Sequence, residues 1–305
     1  MSQTRLARAV AVALVIVLLA ALPFRDFQGS RDVAFIAVVD TTLFLMDLAA
    51  AVLLYTQFCV LRSRGLLALA MGYLFSSFMV VPHLLTFPGL LAPTGLLGPG
   101  LQSTVWLYIL WHLGLPIGVI SYTLLKPVDR RVPAGSGRAS VPILLSVAVV
   151  IALVFVLAWF ATVDGRLLPS IMLYTMHAKA IWRLAVMPPI WALIIVSIGL
   201  LWWRRSSVLD LWLLVVLWAW LIESLLLGIT LDRFSVVWYI GRILGLLAAS
   251  CVLLVLLYES MTLYARLALH VAAQDQDRDR DRQRLTLDVT AGLRMAAGTA
   301  QRLAT

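Results

Sequence analysis

Long apolar runs alternate with short polar connectors along the whole chain. Eight of the runs reach or approach the ~20 residues that a helix needs to cross the hydrocarbon of a bilayer. They cover 6–23, 33–60, 66–91, 104–125, 141–162, 184–203, 207–230 and 236–265. The pattern predicts an all-α fold: a polytopic transmembrane helical bundle of about eight spans over 1–265, followed by a charged cytoplasmic helix over 266–305. The first run, with Arg5 and Arg8 before it, has the look of a signal peptide. No small-x-small cleavage site follows cleanly and "LPFRDF" interrupts the chain, so it reads as a retained first span.

The connectors carry the topology. "LRSRG" at 61–65, "KPVDRRVPAGSGR" at 126–138 and "WRRSS" at 203–207 are basic, whereas "RDFQGSRD" balances two Arg against two Asp and 92–103 has no charge. The positive-inside rule places the three basic connectors, the N-terminus and the C-terminal tail in the cytoplasm of a cell with this protein in its inner membrane. An even number of spans puts both ends on one side, and the charges agree. The outer connector 163–183, with His177, Lys179 and Arg183 beside Tyr174 and Trp182, is expected to contain an interfacial helix.

Composition makes the bilayer the solvent. Of 305 residues, 62% are apolar and only 13% charged, and the eleven Trp suit interfacial belts. The net charge of +9 comes mainly from Arg in the connectors. No basic face interleaved with aromatics accompanies it, which argues against nucleic acid as a partner. Cys59 and Cys251 both fall within spans and are expected to be free thiols. In the tail, Asp275–Arg278, Asp277–Arg280, Asp279–Arg282 and Asp281–Arg284 are spaced i to i+3, as in a solvated helix laced with ion pairs. That helix is either a partnerless juxtamembrane segment or a homodimeric signalling stalk. Leu285, Val289 and Leu293 supply only a short apolar stripe for the latter. His270 reads as a solvated surface residue.

Ionisable groups inside a bilayer are costly and face the bundle interior or water. At ~1.5 Å per residue, His83, His112, Glu223, Arg242 and Asp40 all fall roughly 9–12 Å below the outer surface. Asp47 lies two turns deeper on the face of Asp40. Three readings stay open. In the first the layer is structural: Arg242 pairs with Glu223 or Asp40, and the His rings bond backbone carbonyls freed by Pro82 or Pro116. In the second His83 and His112, with Met79 one turn from His83, ligate a metal or haem. In the third Asp40, Asp47, Glu223 and the two His relay protons or recognise a small outer-side ligand. Trp106, Tyr108 and Trp111 stand near His112 and line a pocket or simply pack. A transporter using the acids is a further alternative, although no inverted repeat of broken helices is visible.

The stretches "DLAAAVLLYTQFCVLRSRG…VVPHLLTFPG…TVWLYILWHLGLP" and "DRFSVVWYIGR" resemble the fourth class of bacterial membrane-associated sensor domains, the MASE group. The resemblance covers about 30–265 and is most specific over 65–126. Pro82, His83, Thr86, Phe87, Pro88 and Gly89 match the family's "PHxLTFPG". Trp106, Tyr108, Trp111, His112 and Pro116 match "WLYxxWHxGxP"; Arg233, Trp238, Tyr239, Gly241 and Arg242 match "RFxxxWYxGR". Asp47 and Glu223 fall on the family's acidic positions. The resemblance implies a sensory input module, and the family is usually followed by a histidine kinase or diguanylate cyclase output domain. It implies sensing residues among His83, His112, Asp47, Glu223, Arg242, Trp106, Tyr108, Trp111 and Tyr239. Pro82, Pro88, Gly89 and Pro116 are then structural, and no cofactor is named. The segment "RLTLDVTAGLRMAAGTAQRLAT" is similar to the entry of a kinase dimerisation helix. Arg294 or Met295 stands where a phosphorylated His and its acidic neighbour are expected. The chain is therefore expected not to be an enzyme by itself, and reads as a stand-alone sensor, a truncated kinase or a subunit acting through a separate output protein.

Overall fold

The computed structural model describes residues 3–97, 101–131, 138–163, 168–174 and 177–303. Eight long helices follow in order: α1 Gln3–Ala21, α2 Val33–Leu61, α3 Arg64–Thr86, α4 Leu101–Arg131, α5 Ser140–Thr162, α6 Met187–Arg204, α7 Val208–Ile229 and α8 Val236–Leu303. Each contains a stretch long and apolar enough to cross a membrane. Among the described residues there is no strand, only isolated bridges. The chain divides into two compact units, Met1–Leu257 and Tyr258–Thr305. In the second unit Arg278 approaches Asp275 at 4.0 Å. The side chains of Asp277, Asp279, Asp281, Arg282 and 284–303 lie outside the described residues, and with them the other charge pairs, the Leu285–Leu293 stripe and Arg294 and Met295.

Within the first unit, α3 packs against α2 and α4, α6 against α4 and α7, and α1 against α7. Apolar side chains gain little by leaving lipid for protein, so spans associate through close packing and polar links instead. Gly114 and Gly118 form a small-xxx-small stripe on α4. A Cβ added at Gly118 would stand 3.0 Å from the Gly72 Cα, and one at Gly114 only 2.2 Å from the Phe75 ring. The two helices therefore meet backbone to backbone. α7 is the most enclosed span, with 78% of its apolar window buried, against 17% for α5. On α5 Leu144, Leu145, Phe155 and Val156 are exposed, as a lipid-facing helix requires. The first span is tied in by Trp212 Nε1 donating to Gln3 Oε1 (3.0 Å) and Trp218 Nε1 donating to the Ala11 carbonyl (3.3 Å).

One end of this unit carries the arginine-rich connectors, and two carboxylates there collect several donors. The Asp129 carboxylate accepts from Ser63 Oγ and from the Arg64 and Gly65 amides, holding the start of α3 against the end of α4. Asp210 closes a capping box with Ser207 at the start of α7 and also accepts from Tyr122 Oη (2.7 Å) and Lys126 Nζ (2.5 Å).

The opposite, loop-rich end departs from expectation at the end of α3 and in the 163–183 connector. α3 stops at Thr86 rather than near 91, because Phe87 precedes a proline and is extended (φ −69°, ψ 121°). Gly89 follows with φ +86°, a conformation glycine adopts without strain. Pro82 does not break the helix but sits inside it, and Pro116 is likewise internal to α4. The described part of the 163–183 connector holds no helix before Trp182. Met172 bridges to Ala178, and His177 bridges to Asp232, 55 residues away. Finally, the 27–30 segment is strapped to the 234–236 turn. Gly29 N donates to the Phe234 carbonyl (2.9 Å), and Val236 N to that of Phe27 (3.0 Å). Phe234 is held at φ +64°, a strained conformation for a bulky residue.

Gly114→Val should force α3 and α4 apart and destabilise the protein by about 1–3 kcal/mol, as overpacking does. Gly199→Ala has no neighbour within 4 Å of the added carbon and should leave stability intact. Thermal unfolding in detergent compares the two; equal melting temperatures would contradict the close α3–α4 contact.

Candidate functional site

The ionisable residues of the spans converge at the loop-rich end of the first unit. Asp40 on α2 is fully buried, and its Oδ2 lies 2.8 Å from His83 Nδ1 on α3. His83 stands one turn from the end of α3, closer to it than the sequence count implied, since the helix ends five residues early. On α4, Tyr108 stacks over His112 one turn on, with ring centroids 3.8 Å apart. His112 Nδ1 bonds the Tyr108 carbonyl (2.8 Å), and its Nε2 is 3.9 Å from Glu223 Oε1 on α7. Arg242 on α8 lies over the Tyr108 ring at 4.8 Å and the Trp238 ring at 5.5 Å. Glu223 in turn fits against α8 at Gly245, where an added Cβ would meet Glu223 Oε2 at 2.8 Å.

Two cavities open among these groups, separated by the Tyr108–His112 stack. The first, about 60 Å³, is lined by His83, Tyr108, Trp182, Arg233, Trp238 and Arg242 together with Thr230–Asp232. The second, about 20 Å³, is lined by Asp47, Tyr73, Trp111, His112, Trp220 and Glu223. A water molecule needs roughly 10–15 Å³ in this measure, so the second holds about one and the first a few. Ser76 links the deeper groups: its hydroxyl donates to Asp47 Oδ2 (2.6 Å) and accepts from Trp111 Nε1 (2.7 Å).

The layer is incompletely satisfied. Among the described residues, Arg242 makes no ion pair, and its Nε and Nη1 have no hydrogen-bond partner. Tyr108 Oη beside the first cavity, and Tyr73 Oη and Trp220 Nε1 beside the second, are also buried without a partner. In the connector, Arg233 stacks over Phe87 at 5.3 Å. Burial pushes its guanidinium down to about 10, and the charge of Arg242 acts in the same direction. Asp232 is engaged by His177, with Oδ1 2.6 Å from Nδ1.

Several expectations are corrected by this geometry. Arg242 pairs with neither Glu223 nor Asp40; the acid on α2 is taken by His83. Neither imidazole bonds a carbonyl freed by proline. His83 bonds a carboxylate, and His112 bonds the carbonyl of Tyr108, whereas the carbonyl that Pro116 frees is that of His112 itself. The residues do not fit a haem or metal shared by His83 and His112. The two rings line different cavities, each far below the several hundred Å³ of a cofactor pocket. Among the described residues no group of three His, Cys, Asp or Glu could hold a metal ion. Trp106 and Tyr239 lie outside both cavities. Trp106 Nε1 donates to the Pro169 carbonyl (3.1 Å), and Tyr239 Oη to that of Ser30 (2.7 Å), so both fasten loops. Conversely, Tyr73, Ser76, Trp182 and Trp220 were missed; a polar or indole group on a buried helix face was the signal available. Arg233 was matched only as part of a motif.

Eight apolar helices that enclose a layer of ionisable residues define an integral membrane domain. The sequence model of the MASE4 family, a membrane-associated sensor and integral membrane domain, matches residues 31–264. The chain belongs to this family. Comparison with curated proteins and with solved structures gave no match.

Removing the His83 ring should leave Asp40 buried without its partner. His83→Ala should therefore destabilise the protein by about 3–5 kcal/mol, the cost of breaking a buried pair. His83→Ala combined with Asp40→Leu should recover a large part of that loss. Melting temperatures in detergent measure both, and a double variant no more stable than His83→Ala would contradict the pairing.

Proposed function

We propose that this membrane sensor domain reads a small ligand or hydration state at its polar layer. It passes the result along α8 to a cytoplasmic output protein of the histidine kinase or diguanylate cyclase type. The observation that carries the reading is the place of Arg242. It lines the first cavity, two of its nitrogens are unpartnered, and it belongs to the helix that runs from Val236 to Leu303. A ligand shifts an equilibrium only through differential affinity for two states, and a buried cation with unmet hydrogen-bonding capacity offers such a difference.

The arginine-rich connectors favour an orientation with both termini in the cytoplasm and the polar layer on the outer side of an inner membrane. The short apolar stripe of Leu285, Val289 and Leu293 on the charged last helix supports a homodimeric stalk that aligns two output domains. Gly241 and Gly245 let α8 lie close to Glu223 on α7, so a change at the layer reaches α8 directly.

Fusion of the chain to a cyclase reporter tests this function. Arg242→Gln, Glu223→Ala and Gly245→Val should each shift reporter output by at least about fivefold, the low end of coupling between sites. Three correctly inserted variants with unchanged output would overturn the reading.

A further inference from the structure

We infer that the first cavity is an anion site, built for one small planar oxyanion of the carboxylate, carbonate or nitrate type. Its main ligand is Arg242. The residue is 4% exposed, lines the cavity, and presents Nε and Nη1 without an acceptor. The Tyr108 and Trp238 faces stabilise the cation but accept no hydrogen bond in the plane of the guanidinium. A buried charge left in this state is costly, so a partner is called for.

The surroundings select the sign, shape and size of that partner. Arg233 and Arg242 both line the cavity, against the single carboxylate of Asp232, which is already held by His177. Tyr108 Oη lines the same space, is buried and has no partner, so its hydroxyl is available to donate to an oxygen. A guanidinium fork matches planar oxyanions better than spherical ions. The volume, about 60 Å³, admits an ion of a few heavy atoms and excludes a ring. An anion there would bridge α4, α8 and the 230–233 turn, all of which line the cavity.

That such an ion is the stimulus rests on the sensory reading above; that it binds does not. The test uses the full-length protein purified in detergent. Formate, nitrate, chloride or benzoate is titrated at constant ionic strength against a bulky sulfonate, with the melting temperature followed and tryptophan emission reporting on Trp182 and Trp238. Formate and nitrate should stabilise the protein saturably, while chloride and benzoate should not. Tyr108→Phe should weaken the midpoint about three- to tenfold, the worth of one hydrogen bond. Arg242→Lys should weaken it further, and Arg242→Gln should abolish it. Should Arg242→Gln fail to fold, the Tyr108→Phe shift decides.

A linear, unsaturable response, or midpoints unchanged in Tyr108→Phe and Arg242→Lys, would mean that water alone satisfies Arg242 and would overturn the site. A saturable response to chloride or benzoate alone would overturn the oxyanion class. Saturable oxyanion binding with a reporter fusion that ignores the anion would leave the site standing and sink the sensory reading instead.

Discussion

A charge in hydrocarbon must find a partner inside the protein, and this requirement organises the loop-rich end of the membrane unit. The bond between Asp40 and His83 meets it for α2 and α3. It fixes the rotation of both helices, since either side chain turned toward lipid would lose its partner and its shelter. The glycine contacts of α3 with α4 then bring the Tyr108–Trp111–His112 face up to His83, whose ring lies 5.6 Å from that of Trp111. Glu223 reaches the same face from α7, and Arg242 from α8. The layer is thus a consequence of five helices each having at least one polar side chain to bury, with glycines setting how near they come.

The two ends of the unit solve this problem differently. At the arginine-rich end Asp129 and Asp210 each collect three or more donors, many of them backbone amides at helix starts. Those carboxylates act as fasteners. At the loop-rich end acceptors and donors are mismatched: Asp40 Oδ1 is buried without a partner, and Tyr108 Oη and two nitrogens of Arg242 stay unpartnered beside the first cavity. A fully satisfied network rigidifies, whereas a partly satisfied one leaves room for a second arrangement.

Much of the fold was legible in the sequence because a span announces itself by length and composition alone. The eight runs map onto the eight helices, and at the loop-rich end Asp40 stands beside His83, His112 beside Glu223, and Arg242 over the Tyr108 ring. The end of α3 was misread because hydropathy continues through Leu90 and Leu91, while the chain obeys the Phe87–Pro88 constraint and the positive φ of Gly89. The 163–183 connector suggested an interfacial helix from its mixture of aromatic and basic residues. Its actual partner is Asp232, far along the chain, and no local pattern encodes that pairing. Partner choice inside the layer was equally hidden. Depth put Asp40 within reach of either Arg242 or His83, and only rotation about each helix axis decides between them. The separation of His83 from His112 by the Tyr108 and Trp111 rings has the same origin.

The central claim is that occupancy of the polar layer moves α8 relative to the rest of the membrane unit. Electron–electron distance measurements address it most directly, with spin labels at Val52 on α2 and Leu247 on α8, both exposed on the lipid side, and Cys59 and Cys251 replaced. The account predicts that saturating formate or nitrate shifts the distance distribution, and that Arg242→Gln removes the shift. A distribution that stays the same with and without the anion, in protein shown to bind it, would contradict the claim.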